Sequence, residues 1–376
     1  ARLGGDEFAL VVPGGPEEAT ALAERLLVLL DRPFRAPDPD GGRGRGPVFP
    51  VSGSIGVAQV VPDEDAAAAI RAADLALAAA KAAGKNCVRF TGPGRDGGLD
   101  DAMRRRARLA HDLPAALEHG QLRLEYQPVA GLAERRVLGI EALVRWDHPV
   151  LGTVPPDEFI ALAEDDGLIV PLQQWVLRTA TADLAGLLAE GRDLKLGVNV
   201  SVRHLQAGCL APDVARALGA AGVPPRRLML EVTETVLIDG SERLEGDLVT
   251  LRDMGCIVSL DDFGKGFSSL AYLARMPVDV LKMDRQFVAG IEGDARAAAL
   301  VRTVVDMGRR LGMDVVAEGV ETPGQLAELA ALGCAFVQGW LVGRPVPVDR
   351  LAEAIDAFDP GVLSGTDPTS TVLDVH

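Results

Sequence analysis

Acidic and amide side chains recur at the ends of short apolar runs from about residue 105 onward. One run ends in Glu141-Ala142-Leu143-Val144-Arg145-Trp146, another in Asn199-Val200-Ser201, and a third in Glu231-Val232-Thr233-Glu234. Later runs end in Asp261-Asp262-Phe263-Gly264, Lys282-Met283-Asp284, Glu318-Gly319-Val320-Glu321 and Gln338-Gly339. One acid at one strand end is an ordinary polar cap. Several carboxylates brought together with Asn, Lys and Arg are not, because like charges repel and some would be held protonated without a counter-ion. Divalent cations resolve that repulsion, so the pattern reads as a metal site with oxygen ligands built for a phosphate ester.

The elements that must position these groups are short strands and the helices between them. Eight runs carry strand signals: 122–127, 137–145, 195–200, 228–232, 256–261, 278–283, 313–317 and 334–338. Helical patterns separate most of them, notably 169–190, 242–254, 294–311 and 323–332. Eight strands with intervening helices over this length predict an α/β fold, a (β/α)8 TIM-like barrel with its reacting groups at the strands' carboxyl ends. The link from Pro128 to Arg136 is too short for a crossover helix, so the first two strands are expected to pair antiparallel. Alternation puts Glu141, Leu143 and Arg145 on one face of their strand, and Lys282 and Asp284 likewise share a face, so an acid, a cation and an apolar wall can all line one mouth. Asp261 and Asp262 would point apart in a regular strand; Gly264 and Gly266 allow a turn that brings both inward.

Composition narrows the chemistry. Net charge is -16 over 376 residues, which disfavours a broad DNA or RNA surface. Cys87, Cys209, Cys256 and Cys334 are far apart, which argues against a disulfide framework and makes the cytoplasm the default. The five His residues lack metal-ligand spacing, so any metal is expected to be Mg²⁺ or Mn²⁺ on oxygen ligands. No membrane span is expected. The chain opens on Ala1 without an initiator Met, as a fragment of a longer protein would, and that protein could carry a membrane anchor upstream.

With these motifs goes Tyr126-Gln127-Pro128-Val129, and the set continues through Ser268-Ser269-Leu270, Leu281-Lys282-Met283-Asp284 and Ala317-Glu318. In this order they resemble the EAL family of cyclic di-GMP phosphodiesterases across 105–358. A lone Glu-Ala-Leu is common in helices; the ordered set is specific. The resemblance implies hydrolysis of cyclic di-GMP to linear pGpG with two Mg²⁺ or Mn²⁺ ions. It implies Glu141, Asn199, Glu231 and Asp261 as ligands of one metal, with Asp261 bridging to a second held with Asp262. Glu318 would be general base or a further ligand, and Lys282 would meet the attacking water or the phosphate. Gln127, Leu143 and Arg145 would line or hold the substrate, and Gln338 would orient the site. Glu234, Asp284 and Glu321 would support it, Glu234 by steadying the loop after Asp262. Lys265 departs from the family, which usually has Thr or another small residue in a loop linked to dimerisation; a homodimer is expected. A non-catalytic cyclic di-GMP receptor is the alternative. Receptors of this kind usually lack metal ligands or the base, and here both are present.

Residues 1–92 form a separate block. Phe8–Val12 reads as a strand, 17–31 and 65–83 as helices, 52–60 as a strand and 36–47 as a loop. Gly4-Gly5-Asp6-Glu7-Phe8, Ser54-Ile55-Gly56-Val57-Ala58, Ala73-Asp74-Leu75-Ala76-Leu77 and Lys81 through Gly84-Lys85-Asn86 resemble the second half of a GGDEF diguanylate cyclase domain. Ala78 replaces the usual Tyr, and an upstream metal-binding Asp is missing. The expectation is a truncated, partial α+β domain that does not make cyclic di-GMP. Residues 93–104 read as a linker and 359–376 as a disordered tail.

Overall fold

The computed structural model describes residues 2–4, 7–30, 34–35, 48–49, 53–60, 66–82, 87–91, 97–234, 242–264, 270–359 and 361. The chain divides into two compact units, Ala1–Arg108 and Leu109–His376.

In the larger unit eight strands close a barrel. They are β1 (Leu122–Gly131), β2 (Arg136–His148), β3 (Lys195–Val200), β4 (Leu228–Thr233), β5 (Ile257–Phe263), β6 (Val280–Met283), β7 (Asp314–Ala317) and β8 (Phe336–Gln338). Neighbours from β2 to β8 pair parallel, whereas β1 runs antiparallel to both β2 and β8 and so closes the ring. The short β1–β2 link imposes that reversal. Short strands Gly152–Val154 and Val346–Pro347 extend the sheet beyond β2 and β1.

Period-2 alternation explains the layering. In β4, Leu228, Leu230 and Val232 are buried outward with the helix-facing core, while Met229 and Glu231 occupy the alternate positions. A separate apolar cluster of Val129, Val280 and Val316, with Met229, Ile257 and Phe336 against it, fills the bottom of the barrel interior. Register places Glu141 opposite Gln127 and Gly197, and Glu231 opposite Asn199 and Ser259, one layer above that plug. The barrel is thus apolar at its base and polar toward the strands' carboxyl ends.

The helices at Ile169–Ala189, Glu242–Asp253, Ala295–Leu311 and Pro323–Ala331 fall where the periodicity predicts them. Of the expected linker, 93–96 lie outside the described residues and 97–104 belong to a helix, Gly97–Glu118. Its Gly- and Asp-rich start looks like a linker by composition, but acidic residues in a first turn complement the helix dipole. Among the described residues no helix is long and apolar enough to cross a membrane.

In the smaller unit Arg2–Gly4 pairs antiparallel with Glu7–Phe8, so the strand expected over Phe8–Val12 ends at Phe8. Ala9 to Val12 continues as irregular chain, and Leu10 and Val11 are exposed. Ile55–Ala58 pairs parallel with Val88–Thr91 beneath the helix Ala66–Ala82. A Cβ at Gly56 would meet the Leu77 amide nitrogen at 2.2 Å, so two of the sequence motifs touch here, and only glycine fits. Gly5, Asp6, the 36–47 loop, Lys85, the segment 265–269 with Lys265, and nearly all of the 359–376 tail lie outside the described residues.

Candidate active site

Lys282 is the centre of the polar layer. It projects inward from β6, 1% exposed, and its ammonium meets four carboxylates. Nζ lies 2.6 Å from Glu231 Oε2, 2.8 Å from Glu318 Oε1, 3.1 Å from Glu141 Oε2 and 3.4 Å from Asp261 Oδ1. Amides tie the rim to this centre. Asn199 Nδ2 donates to Glu141 Oε1 at 2.7 Å and Gln338 Nε2 to Glu141 Oε2 at 2.7 Å. Gln338 Nε2 also reaches Gln127 Oε1 at 3.2 Å, and Gln127 Nε2 donates to the Gly343 carbonyl.

Asp261 and Asp262 are brought together by a bulge. Register against β6 shifts between Leu260 and Phe263, and Asp262 adopts φ 58°, a left-handed conformation rare for a side chain with a Cβ. The expected turn therefore begins at Asp262 itself rather than at the glycines after it. Asp261, Asp262 and Glu318 consequently offer carboxylate oxygens within 4.8 Å of one another.

One ammonium among five carboxylates leaves an excess of negative charge, and the proton affinities show where it falls. Burial and the neighbouring Glu141 charge push Glu231 well above the usual carboxylate range. Burial, and the charges of Glu141 and Asp262, raise Asp261 in spite of Lys282. Glu318 is pushed up to about 7, by burial first and then by Asp261 and Glu141. Glu141 goes the other way: burial opposes its charge, but Lys282 and the hydrogen bonds from Gln338 and Asn199 outweigh it. Lys282 is raised well above its ordinary value, since four carboxylates overcome its burial.

The donor set fits a hard divalent cation. All candidate ligands are oxygens, the surplus charge is negative, and Glu231 Oε1 is buried without a hydrogen-bond partner among the described residues. Gly197 makes room for that atom, because a Cβ there would meet Glu231 Oε1 at 2.2 Å.

The other expected site residues are placed around this centre. Leu143 and Arg145 continue outward from Glu141 along β2, half-buried. Arg145 Nε donates to Glu125 Oε2 at 2.8 Å, and Glu125 also pairs with Arg123 at 2.7 Å. Glu234 Oε2 accepts from the Gly264 amide at 3.0 Å, and its own amide donates to the Asp261 carbonyl. Asp284 is buried and caps the helix Arg285–Ala289 through the Gln286 amide. Glu321 is exposed beyond β7, its backbone amide bonded to Gln325. Gly197, Ser259 and Glu125 were missed in the sequence. Each lies two residues before a recognised site residue, so strand alternation alone was the signal that could find them.

Comparison with known proteins agrees with this architecture. Residues 110–345 match the family model of the EAL domain, and residues 1–87 that of the diguanylate cyclase, GGDEF domain. An uncharacterized signaling protein of Caulobacter vibrioides is 42% identical over 97% of this chain and 44% of its own length. The cyclic di-GMP phosphodiesterase NbdA of Pseudomonas aeruginosa is 38% identical over 95% of this chain and 45% of its own. A solved structure described as the PaMucR phosphodiesterase in complex with c-di-GMP superposes with TM-score 0.62, at 42% identity, over 65% of this chain and 99% of that one. The chain spans about half the length of the curated relatives it matches.

Proposed function

The chain belongs to the EAL domain family, and from that premise we propose that its barrel hydrolyses cyclic di-GMP to linear pGpG. The observation that carries the proposal is the Lys282-centred layer, in which five carboxylates face one ammonium and a buried Glu231 oxygen is left over. Glu141, Asn199, Glu231 and Asp261 would hold one Mg²⁺ or Mn²⁺, and Asp261 with Asp262 a second. Such ions, when bound, supply positive charge at the phosphoryl oxygens and lower the proton affinity of water.

The chain's own groups do the rest. Arg145, already oriented by Glu125, stands outward of Glu141 on the same strand face and holds an anionic substrate by charge-assisted hydrogen bonds. Leu143 gives an apolar wall between them, and Gln127 and Gln338 fix the position of Glu141. Lys282 keeps the carboxylates together before substrate arrives and offers its ammonium to the phosphate. Glu318, whose carboxyl is pushed up to about 7 in the metal-free chain by burial and the charges of Asp261 and Glu141, would accept the proton of the attacking water. The water oxygen bonds to phosphorus, one ring P–O bond breaks, and the freed sugar oxygen takes up a proton. One bond is opened, so the product is linear.

Turnover of cyclic di-GMP with Mg²⁺ or Mn²⁺, beside Glu141→Ala, tests this. Release of pGpG by the wild type, and its loss in the variant, is the expected result. Tight binding without release would favour a receptor, and equal turnover by the variant would remove the ligand assignment.

A further inference from the structure

A second polar network lies behind Asn199, on the helix side of the barrel wall. It draws on Gln173 and Gln174 in the helix Ile169–Ala189, on His204 in the helix Val202–Ala207, and on Asp213 in the helix Leu210–Ala221. His204 and Asp213 are both buried, at 0% and 5% exposure.

The direction of each hydrogen bond follows from the acceptor at one end. Gln173 Nε2 donates to the main-chain oxygen of Asn199 at 3.2 Å. A carbonyl only accepts, so the Gln173 amide nitrogen must face it and its Oε1 must face away. That Oε1 sits 2.8 Å from His204 Nδ1, which therefore needs a proton. On the other edge of the ring, Nε2 sits 3.0 Å from Asp213 Oδ2. Asp213 Oδ2 already accepts from Gln174 Nε2 at 2.8 Å and Oδ1 is paired with Arg216, so both carboxylate oxygens serve as acceptors here. Nε2 must carry a proton as well. A neutral imidazole has one N–H and would leave lone pair against lone pair on one side of a buried ring.

We propose that His204 is held as an imidazolium between Gln173 and Asp213, and that the three form a positioning network for Asn199. The proposal rests on the reading of Asn199 and Glu141 as ligands. Burial alone pushes the imidazole down to about 4. Against that burial stand the Gln173 amide oxygen and the Asp213 carboxylate, which face the two ring nitrogens. The chain of contacts then runs unbroken from Arg216, 69% exposed at the surface, through Asp213, His204 and Gln173 to the Asn199 backbone. From there the Asn199 side chain continues to Glu141 and so to Lys282. Fixing the Asn199 carbonyl fixes the backbone from which its amide projects into the cluster. Groups that orient a metal ligand in this way typically carry a tenfold to hundredfold effect on affinity.

The first test uses the wild-type chain. Long-range ¹H–¹⁵N NMR at neutral pH should place both ring nitrogens of His204 in the protonated range, with the resonances assigned by their absence in His204→Asn. A single protonated nitrogen overturns the proposal. So does a shift that a chelator abolishes, since Cys209 Sγ lies within 4.8 Å of the same donor atoms and would mark a metal in place of the proton. The second test is Mn²⁺ binding followed by electron paramagnetic resonance. Gln173→Leu should weaken it about tenfold or more, with Glu141→Ala as the control that removes a ligand. Unchanged affinity in Gln173→Leu alone overturns the positioning role. Unchanged affinity in both variants means instead that the ligand reading has failed.

Discussion

Lys282 Nζ lies 2.6 Å from Glu231 Oε2 inside the barrel, and both residues are 1% exposed. This pair joins β6 to β4 across the lumen and is the closest of the four contacts that Lys282 makes with carboxylates. The remaining oxygen of Glu231 has no partner among the described residues. In the proposed metal site a further cation would meet that oxygen and complete the arrangement.

Removing the ammonium exposes that dependence. Lys282→Met should destabilise the metal-free protein by about 3–5 kcal/mol, because it leaves buried carboxylates uncompensated. Mg²⁺ should restore a larger share of the melting temperature in the variant than it adds to the wild type. Melting curves with EDTA and with excess Mg²⁺ decide it; equal gains in the two proteins would mean that the ion does not enter this cluster.

Acid should stabilise the metal-free protein near neutrality. The Glu318 carboxyl is raised to about 7 from an ordinary 4.5, by burial and the charges of Asp261 and Glu141. A raised folded-state value contributes stability that is full below the unfolded value and lost as pH rises through the folded one. The melting temperature in EDTA should thus fall between about pH 5 and pH 8, and Glu318→Gln should flatten the slope. A wild-type profile that climbs over this window contradicts the assignment.

Gly197→Ala should uncouple fold from site. Its Cβ would meet Glu231 Oε1 at 2.2 Å, and Glu231 cannot swing away without leaving Lys282. A cost of about 1–3 kcal/mol is expected, with the circular dichroism of the barrel retained. Mn²⁺ affinity and pGpG release should each drop at least about tenfold, as for a displaced binding group. Full activity in a folded Gly197→Ala protein would show that Glu231 is not held where the reading needs it.

Much of this arrangement was legible in the sequence because strand ends and period-2 alternation are local properties. The eight runs fall on the eight strands, and the brevity of Pro128–Arg136 announces the antiparallel β1. What stayed hidden is set by three-dimensional register. Nothing local says that Lys282, rather than a metal ligand, occupies the centre. The Asp262 bulge depends on pairing with β6. The His204 network is assembled from positions 173, 199, 204 and 213 on four elements, so no sequence window contains it. The helix Gly97–Glu118 was obscured by glycines and aspartates that suit its first turn as well as they suit a linker.

Arg145→Ala should separate substrate binding from metal binding. Arg145 is bonded to Glu125 Oε2 at 2.8 Å and to the Val144 carbonyl at 2.9 Å, four residues along the strand from Glu141. Loss of one charge-assisted contact is worth about 1.5–3 kcal/mol, so KM for cyclic di-GMP should rise roughly tenfold to a hundredfold. Mn²⁺ affinity should be unchanged. A variant that instead loses metal binding would place Arg145 in the support of the cluster.

Ser259→Ala is the counter-intuitive substitution. Ser259 faces the lumen opposite Glu231 and is fully buried, and its hydroxyl has no hydrogen-bond partner among the described residues. Deleting an unsatisfied buried hydroxyl removes a desolvation cost of about 1–3 kcal/mol and leaves only a small void. The metal-free protein should therefore melt at the same temperature or higher. If the hydroxyl serves the cations through water, the gain should vanish or reverse when Mg²⁺ is added, whereas a passive hydroxyl keeps the gain in both conditions. A lower melting temperature in EDTA would mean that the hydroxyl already has a partner in the folded protein, and the charge balance around Glu231 would have to be redrawn to include it.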